Sequence, residues 1–76
     1  MIEDIKKAVH AATSTNQKTA MFHFQVLKHA KELEGLNGKS FCKEIGVTDA
    51  YATEFNKMIS LAKLMEDQGA KLTFGR

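Results

Sequence analysis

Seventy-six residues with 43% hydrophobic and 26% charged side chains describe one domain of ordinary globular composition and exclude wholesale disorder. Apolar runs of three or four residues, such as Ala20-Met21-Phe22, exclude a membrane span, which needs roughly 20. The net charge of +2, spread as +1 over residues 1–38 and +1 over residues 39–76, excludes a polybasic coat or a charged tail and leaves open a basic face assembled by folding.

Ile2, Ile5, Ala8, Val9 and Ala12 recur at the spacing of one apolar helix stripe and predict a first helix over about 2–13. Glu3 and Asp4 complement the dipole of its first turn. The polar run Thr13-Ser14-Thr15-Asn16-Gln17 ends it and offers caps to the next helix. A second helix is expected over 19–33, where Ala20, Met21, Phe22, Phe24, Val26, Leu27, Ala30 and Leu33 cover more than one face, as in a central, buried element. Gly35 and Asn37-Gly38 then break the chain. A shorter helix is expected over 39–45 and a long one over 49–67, with Ala52, Phe55, Ile59, Ala62 and Met65 along its inner face. After Gly69, Lys71-Leu72-Thr73-Phe74 alternates polar and apolar, so the tail 70–74 reads as a short extended segment. The expected fold is all-α: a compact bundle of four helices in a single domain, 1–76, with that C-terminal extension.

Within this string one stretch is more specific. Cys42 is a small residue where two helices would cross, and Gly46, four residues later, accepts the positive φ of a sharp turn. Phe41, Ile45, Val47, Ala52 and Phe55 supply apolar anchors around them. Thr48 is a good N-cap for the following helix, with Asp49 in its first turn. In this pattern the segment from Gly38 to Lys57 resembles the helix-turn-helix of small bacterial and phage DNA-binding proteins, with Cys42 where that family most often has alanine.

The resemblance implies that the helix from Asp49 would lie in the major groove of duplex DNA. Thr48, Asp49, Ala50, Thr53, Glu54 and Lys57 would then face base edges. Lys39, Ser40, Lys43, Tyr51, Asn56 and Lys63 would be placed for phosphate contacts. Tyr51 has two roles open to it: packing its ring against the preceding helix, or offering its hydroxyl to a phosphate. The sequence departs from a comfortable DNA reader in two ways: Asp49 and Glu54 are acidic, and this helix has no Arg to grip guanine.

Other residues have plainer readings. Cys42, the one cysteine, cannot form an internal disulfide and reads as a small buried hydrophobe. His10, His23 and His29 lack the i, i+4 spacing of a helical metal site and read as solvated or hydrogen-bonded side chains, so no metal or cofactor is expected. Gly38-Lys39-Ser40 ends like a phosphate loop, but Gly35 precedes Gly38 by three residues where the motif needs five. No nucleophile–base pair is apparent, and an enzyme is not expected. The acidic opening Met1-Ile2-Glu3-Asp4 does not read as a signal peptide, so a cytoplasmic location is expected.

The expected function is sequence-specific binding of double-stranded DNA by a small homodimeric transcriptional regulator of bacterial type. Self-association is expected through Leu61, Leu64, Met65, Leu72 and Phe74, since one short motif makes few contacts and paired half-sites solve that. The alternative is a protein-interaction module on the same scaffold that does not touch DNA.

Overall fold

A computed structural model describes residues 1–70. It is all-helical, with no strand among those residues: α1 (Ile2–Ala12), a 3₁₀ turn (Thr13–Thr15), α2 (Lys18–Lys28), α3 (Ala30–Leu33), α4 (Gly38–Ile45) and α5 (Tyr51–Asp67). The expected extended tail lies outside the described residues apart from Ala70, which is in no strand.

The apolar stripe of α1 sends Ile5, Val9 and Ala12 into the core. Beyond it the hydroxyls of Thr13, Ser14 and Thr15 donate back to the carbonyls of Val9, Ala11 and Ala12 at 3.4, 3.1 and 3.0 Å. Such local bonds compete with helix propagation, and Asn16 completes the stop in a left-handed conformation, φ 61°.

The single helix expected over 19–33 is instead two. His29 (φ −107°, ψ 20°) separates α2 from α3, although neither Gly nor Pro stands at the break. The reason is tertiary. Leu33 of α3 is wholly buried, and α3 packs against α5. The bend turns α3 onto α5, where Lys31 Nζ meets Glu66 Oε2 at 2.8 Å. The expectation of a second helix buried on more than one face also needs correction, because the buried residues of α2 are Phe22, Gln25 and Val26, on one face. Phe22 and Val26 are fully enclosed, whereas Phe24 is 43% exposed.

The core is an aromatic cluster wrapped by aliphatic residues. Phe22 of α2 stands 6.0 Å from Phe41 of α4, tilted, and 4.9 Å from Tyr51 of α5, edge-on. Phe41 in turn stands 4.9 Å from Phe55 of α5. Ile5, Val9, Val26, Leu33, Ile45 and Cys42 complete it, all with no exposed surface. Edge and tilted ring pairs at these distances add about 0.5–1.5 kcal/mol each beyond area burial. Along α5 the inner face predicted from spacing is graded: Ala52 and Phe55 are buried, while Ile59, Ala62 and Met65 are only half-buried.

Candidate nucleic-acid interface

α4 begins with a side-chain cap: Asn37 Oδ1 accepts from the Ser40 N–H at 3.0 Å. Gly38 follows, close against α5. A Cβ there would lie 3.3 Å from the Phe55 ring and 3.4 Å from the Ala52 carbonyl oxygen. The two helices therefore touch at Gly38, and Cys42 is wholly buried. Burial pushes the Cys42 thiol up, and the negative charge of Asp49 adds to it, so the thiol is no ready nucleophile.

The turn is set by Gly46, at φ +88°, whose N–H bonds to the Cys42 carbonyl at 2.9 Å; the Val47 N–H bonds to the same oxygen at 3.0 Å. The last carbonyl of α4, that of Ile45, accepts from Nε2–H of His10 at 2.9 Å. α1 thus satisfies a helix-end acceptor that has no partner within its own helix. Gly46→Ala is expected to cost about 1–3 kcal/mol, combining left-handed strain with loss of this hydrogen bond. The new Cβ would lie 3.2 Å from His10 Nε2. Urea unfolding checks it, and an unchanged midpoint would show that the turn tolerates a side chain.

α5 starts two residues later than its sequence suggests. Thr48 does not act as its side-chain N-cap; its carbonyl instead accepts from Tyr51 N–H at 3.0 Å, and Asp49's from Ala52 N–H at 2.9 Å. The N-cap position falls on Ala50, which has no side-chain acceptor, so these two backbone bonds stand in place of a side-chain cap. Thr48, Asp49 and Ala50 are exposed around this end. One turn further on, Thr53 and Lys57, four residues apart, share the outer face opposite Ala52 and Phe55; both are exposed, Lys57 by 62%. Asn56 is exposed beside them.

Glu54 sits differently. Its side chain is 29% exposed, with Oε1 2.7 Å from His23 Nε2 and Oε2 3.6 Å from Lys57 Nζ. The His23 hydrogen bond, chiefly, and the Lys57 charge outweigh desolvation and hold its carboxyl below the ordinary glutamate value of 4.5. A depressed carboxyl stabilises the fold above that ordinary value and loses its contribution as pH falls through the lowered one. Glu66, held down by Lys31, acts in the same window. Glu54→Gln should therefore flatten the loss of stability below pH 4.5, as followed by circular dichroism. Identical acid limbs would separate this pair from stability.

Tyr51 stands edge-to-face with Phe22 of α2 and packs against the buried core. Its hydroxyl shares a hydrogen bond with Thr19 at 2.9 Å, at an exposed position. Lys18 Nζ lies 5.5 Å from the same ring, so the start of α2 adds a cation beside the start of α5. Sequence reasoning missed Lys18 and Thr19, and no local signal marks them. On α4, Lys39 and Lys43 share one exposed side at i, i+4. Ser40 lies on the other, lining a shallow depression with Ile2, Leu36 and Glu44. Lys63 is set apart. It lies about 15 Å along α5 from Thr53, with Nζ 3.9 Å from Glu34 Oε2.

Of the residues expected in self-association, Leu61 and Leu64 are exposed, by 38% and 54%, and Met65 is half-buried. Leu72 and Phe74 lie outside the described residues. His10 and His23 are hydrogen-bonded to protein groups. Among the described residues no group of three His, Cys, Asp or Glu could hold a metal ion, and no helix is long and apolar enough to cross a membrane.

A capped helix, a glycine turn and a longer helix with an open outer face, braced by α1, α2 and α3, define a helix-turn-helix domain. The chain belongs to the HTH-like domain family, whose model matches residues 1–68. Neither the curated proteins nor the solved structures include a significant match to it.

Proposed function

We propose that this domain binds double-stranded DNA, laying the start of α5 in the major groove, and regulates transcription as a homodimer. The observation that carries the reading is the outer face of α5. Thr53 and Lys57 stand exposed together while Phe55 and Ala52, on the opposite side, fix the helix to the core. Thr53 and Asn56 supply hydrogen-bonding groups for base edges, and Lys57 supplies a cation for a base or phosphate. Lys39 and Lys43, with Lys18 beside Tyr51, are placed for backbone phosphates. Self-association through Leu61 and Leu64 would present two such helices to half-sites about one helical turn apart.

Glu54 acts in this reading by holding α5 against α2 and steering Lys57, since His23 already occupies one of its oxygens. The exposed carboxylate of Asp49 favours a second reading, a protein-interaction module, because it repels phosphate at the tip of α5. Binding of the purified chain to a pool of genomic DNA fragments at low and moderate salt, with sequencing of the retained fraction, decides between them. Enrichment of a palindrome, with affinity falling steeply in salt, is the expected result. No retention at low salt by folded protein would overturn DNA binding in favour of a protein partner.

A further inference from the structure

Two structural demands meet at Asn37 and Gly38. Packing favours glycine at position 38, because a Cβ there would press on the Phe55 ring and the Ala52 carbonyl. Asn37 supplies the cap of α4, its Oδ1 holding the Ser40 N–H at 3.0 Å. Ser or Asp would cap about equally well. What Asn adds is an amide carbon that the next backbone nitrogen can attack.

That attack needs an accessible amide, an unhindered nitrogen and freedom to bring them together. Asn37 is exposed. Gly38 has no side chain to crowd its nitrogen, and its N–H, in the first turn of α4, has no acceptor within the helix. Asn37 sits in extended backbone, ψ 126°, with its side chain turned to Ser40, so the helix start must open before the two atoms meet. One exposed side-chain bond holds it, and helix ends open at low cost. The other two asparagines lack this combination. Asn16 precedes Gln17 and Asn56 precedes Lys57, whose side chains crowd the nitrogen, and Lys57 stands inside α5.

We propose that Asn37-Gly38 is a self-modifying site whose rate is set by the opening of the α4 cap. As the Gly38 nitrogen bonds to Cγ of Asn37 it gives up its proton to water, the Cγ–Nδ2 bond breaks, and Nδ2 takes a proton and leaves as ammonia. Water then opens the resulting imide. Hydrolysis at Cγ gives an aspartyl residue, whose carboxylate keeps the cap and suits the positive end of the helix dipole. Hydrolysis at the main-chain carbonyl gives an isoaspartyl residue, which adds a backbone carbon and displaces the carbonyl that accepts from Phe41 N–H at 3.0 Å. Either product lowers the net charge of +2 by one, at the helix end that carries Lys39 and Ser40. Resting on the DNA reading above, the modification is a one-way reduction of affinity.

Ageing the full chain in mildly alkaline buffer tests this. Trypsin then releases Asn16, Asn37 and Asn56 on separate peptides, 8–18, 32–39 and 44–57. The expected result is the amide-to-acid mass change in peptide 32–39, resolved into two isomers, with the other two peptides unchanged. In guanidinium chloride the conversion should run about fivefold faster, the statistical weight of one N-cap bond. The variant Asn37→Ser, which keeps a capping oxygen, should show no conversion in this peptide. Conversion at Asn37 no faster than at Asn16 and Asn56 would overturn the site, and equal rates with and without denaturant would overturn the gate. Asn37→Asp should bind a retained DNA fragment about threefold more weakly, the effect of one carboxylate near one phosphate in water. Equal affinity would overturn the effect on binding. Because conversion is read by mass alone, failure of DNA binding itself is told apart from failure of the chemistry.

Discussion

Phe22→Ala is expected to remove about 3–5 kcal/mol of folding stability. A chain of this length holds roughly 4–11 kcal/mol in all, so the variant would lose between about a quarter and all of it. Phe22 is wholly buried and meets both halves of the helix-turn-helix, Phe41 on α4 and Tyr51 on α5. Its loss empties the point where α2 supports them. Phe22→Leu keeps much of the volume and should recover a large part of the deficit. Urea unfolding followed by circular dichroism checks both. A Phe22→Ala deficit below about 1 kcal/mol would mean that the site collapses without cost and that the aromatic cluster is not the keystone of the fold.

Lys57→Glu is expected to weaken DNA binding about tenfold at low salt and to lower the salt slope by about one. Its folding stability should stay within about 0.5 kcal/mol of the parent, because the side chain is 62% exposed and its carboxylate neighbour keeps His23. Lys63→Glu is the matched control: the same charge change on the same helix, but beside Glu34. Titration of a retained fragment at several salt concentrations reads both. Equal weakening by the two substitutions would assign binding to overall charge and remove Lys57 from the proposed reading face.

What the sequence disclosed, and what it did not, follows the range of the interactions. α1, α4 and the course of α5 were legible because their apolar residues recur at helical spacing and Gly46 sits where a turn needs it. The break at His29 was not, because no breaker residue announces it and the packing of α3 against α5 joins segments far apart in the chain. Glu54 read as an acid opposed to DNA, since its partner His23 is 31 residues away in the chain. Tyr51 and Thr19, 32 apart, and His10 and Ile45, 35 apart, were invisible for the same reason. In each case the residue types were plain, and only folding made them neighbours.

Those three long-range bonds share a direction: each runs from the first 23 residues to the end of α4 or the start of α5. The N-terminal helices behave as a clamp that fixes the angle of α5, and none of the clamp atoms belongs to Thr53, Asn56 or Lys57. Under the proposed function, aim and content are therefore set by different residues. A lineage, or an experimenter, could rewrite those outward positions to change what is recognised while the clamp holds the helix at the same pitch. Damage to His10 or His23 would have the opposite effect, leaving the message intact and pointing it elsewhere.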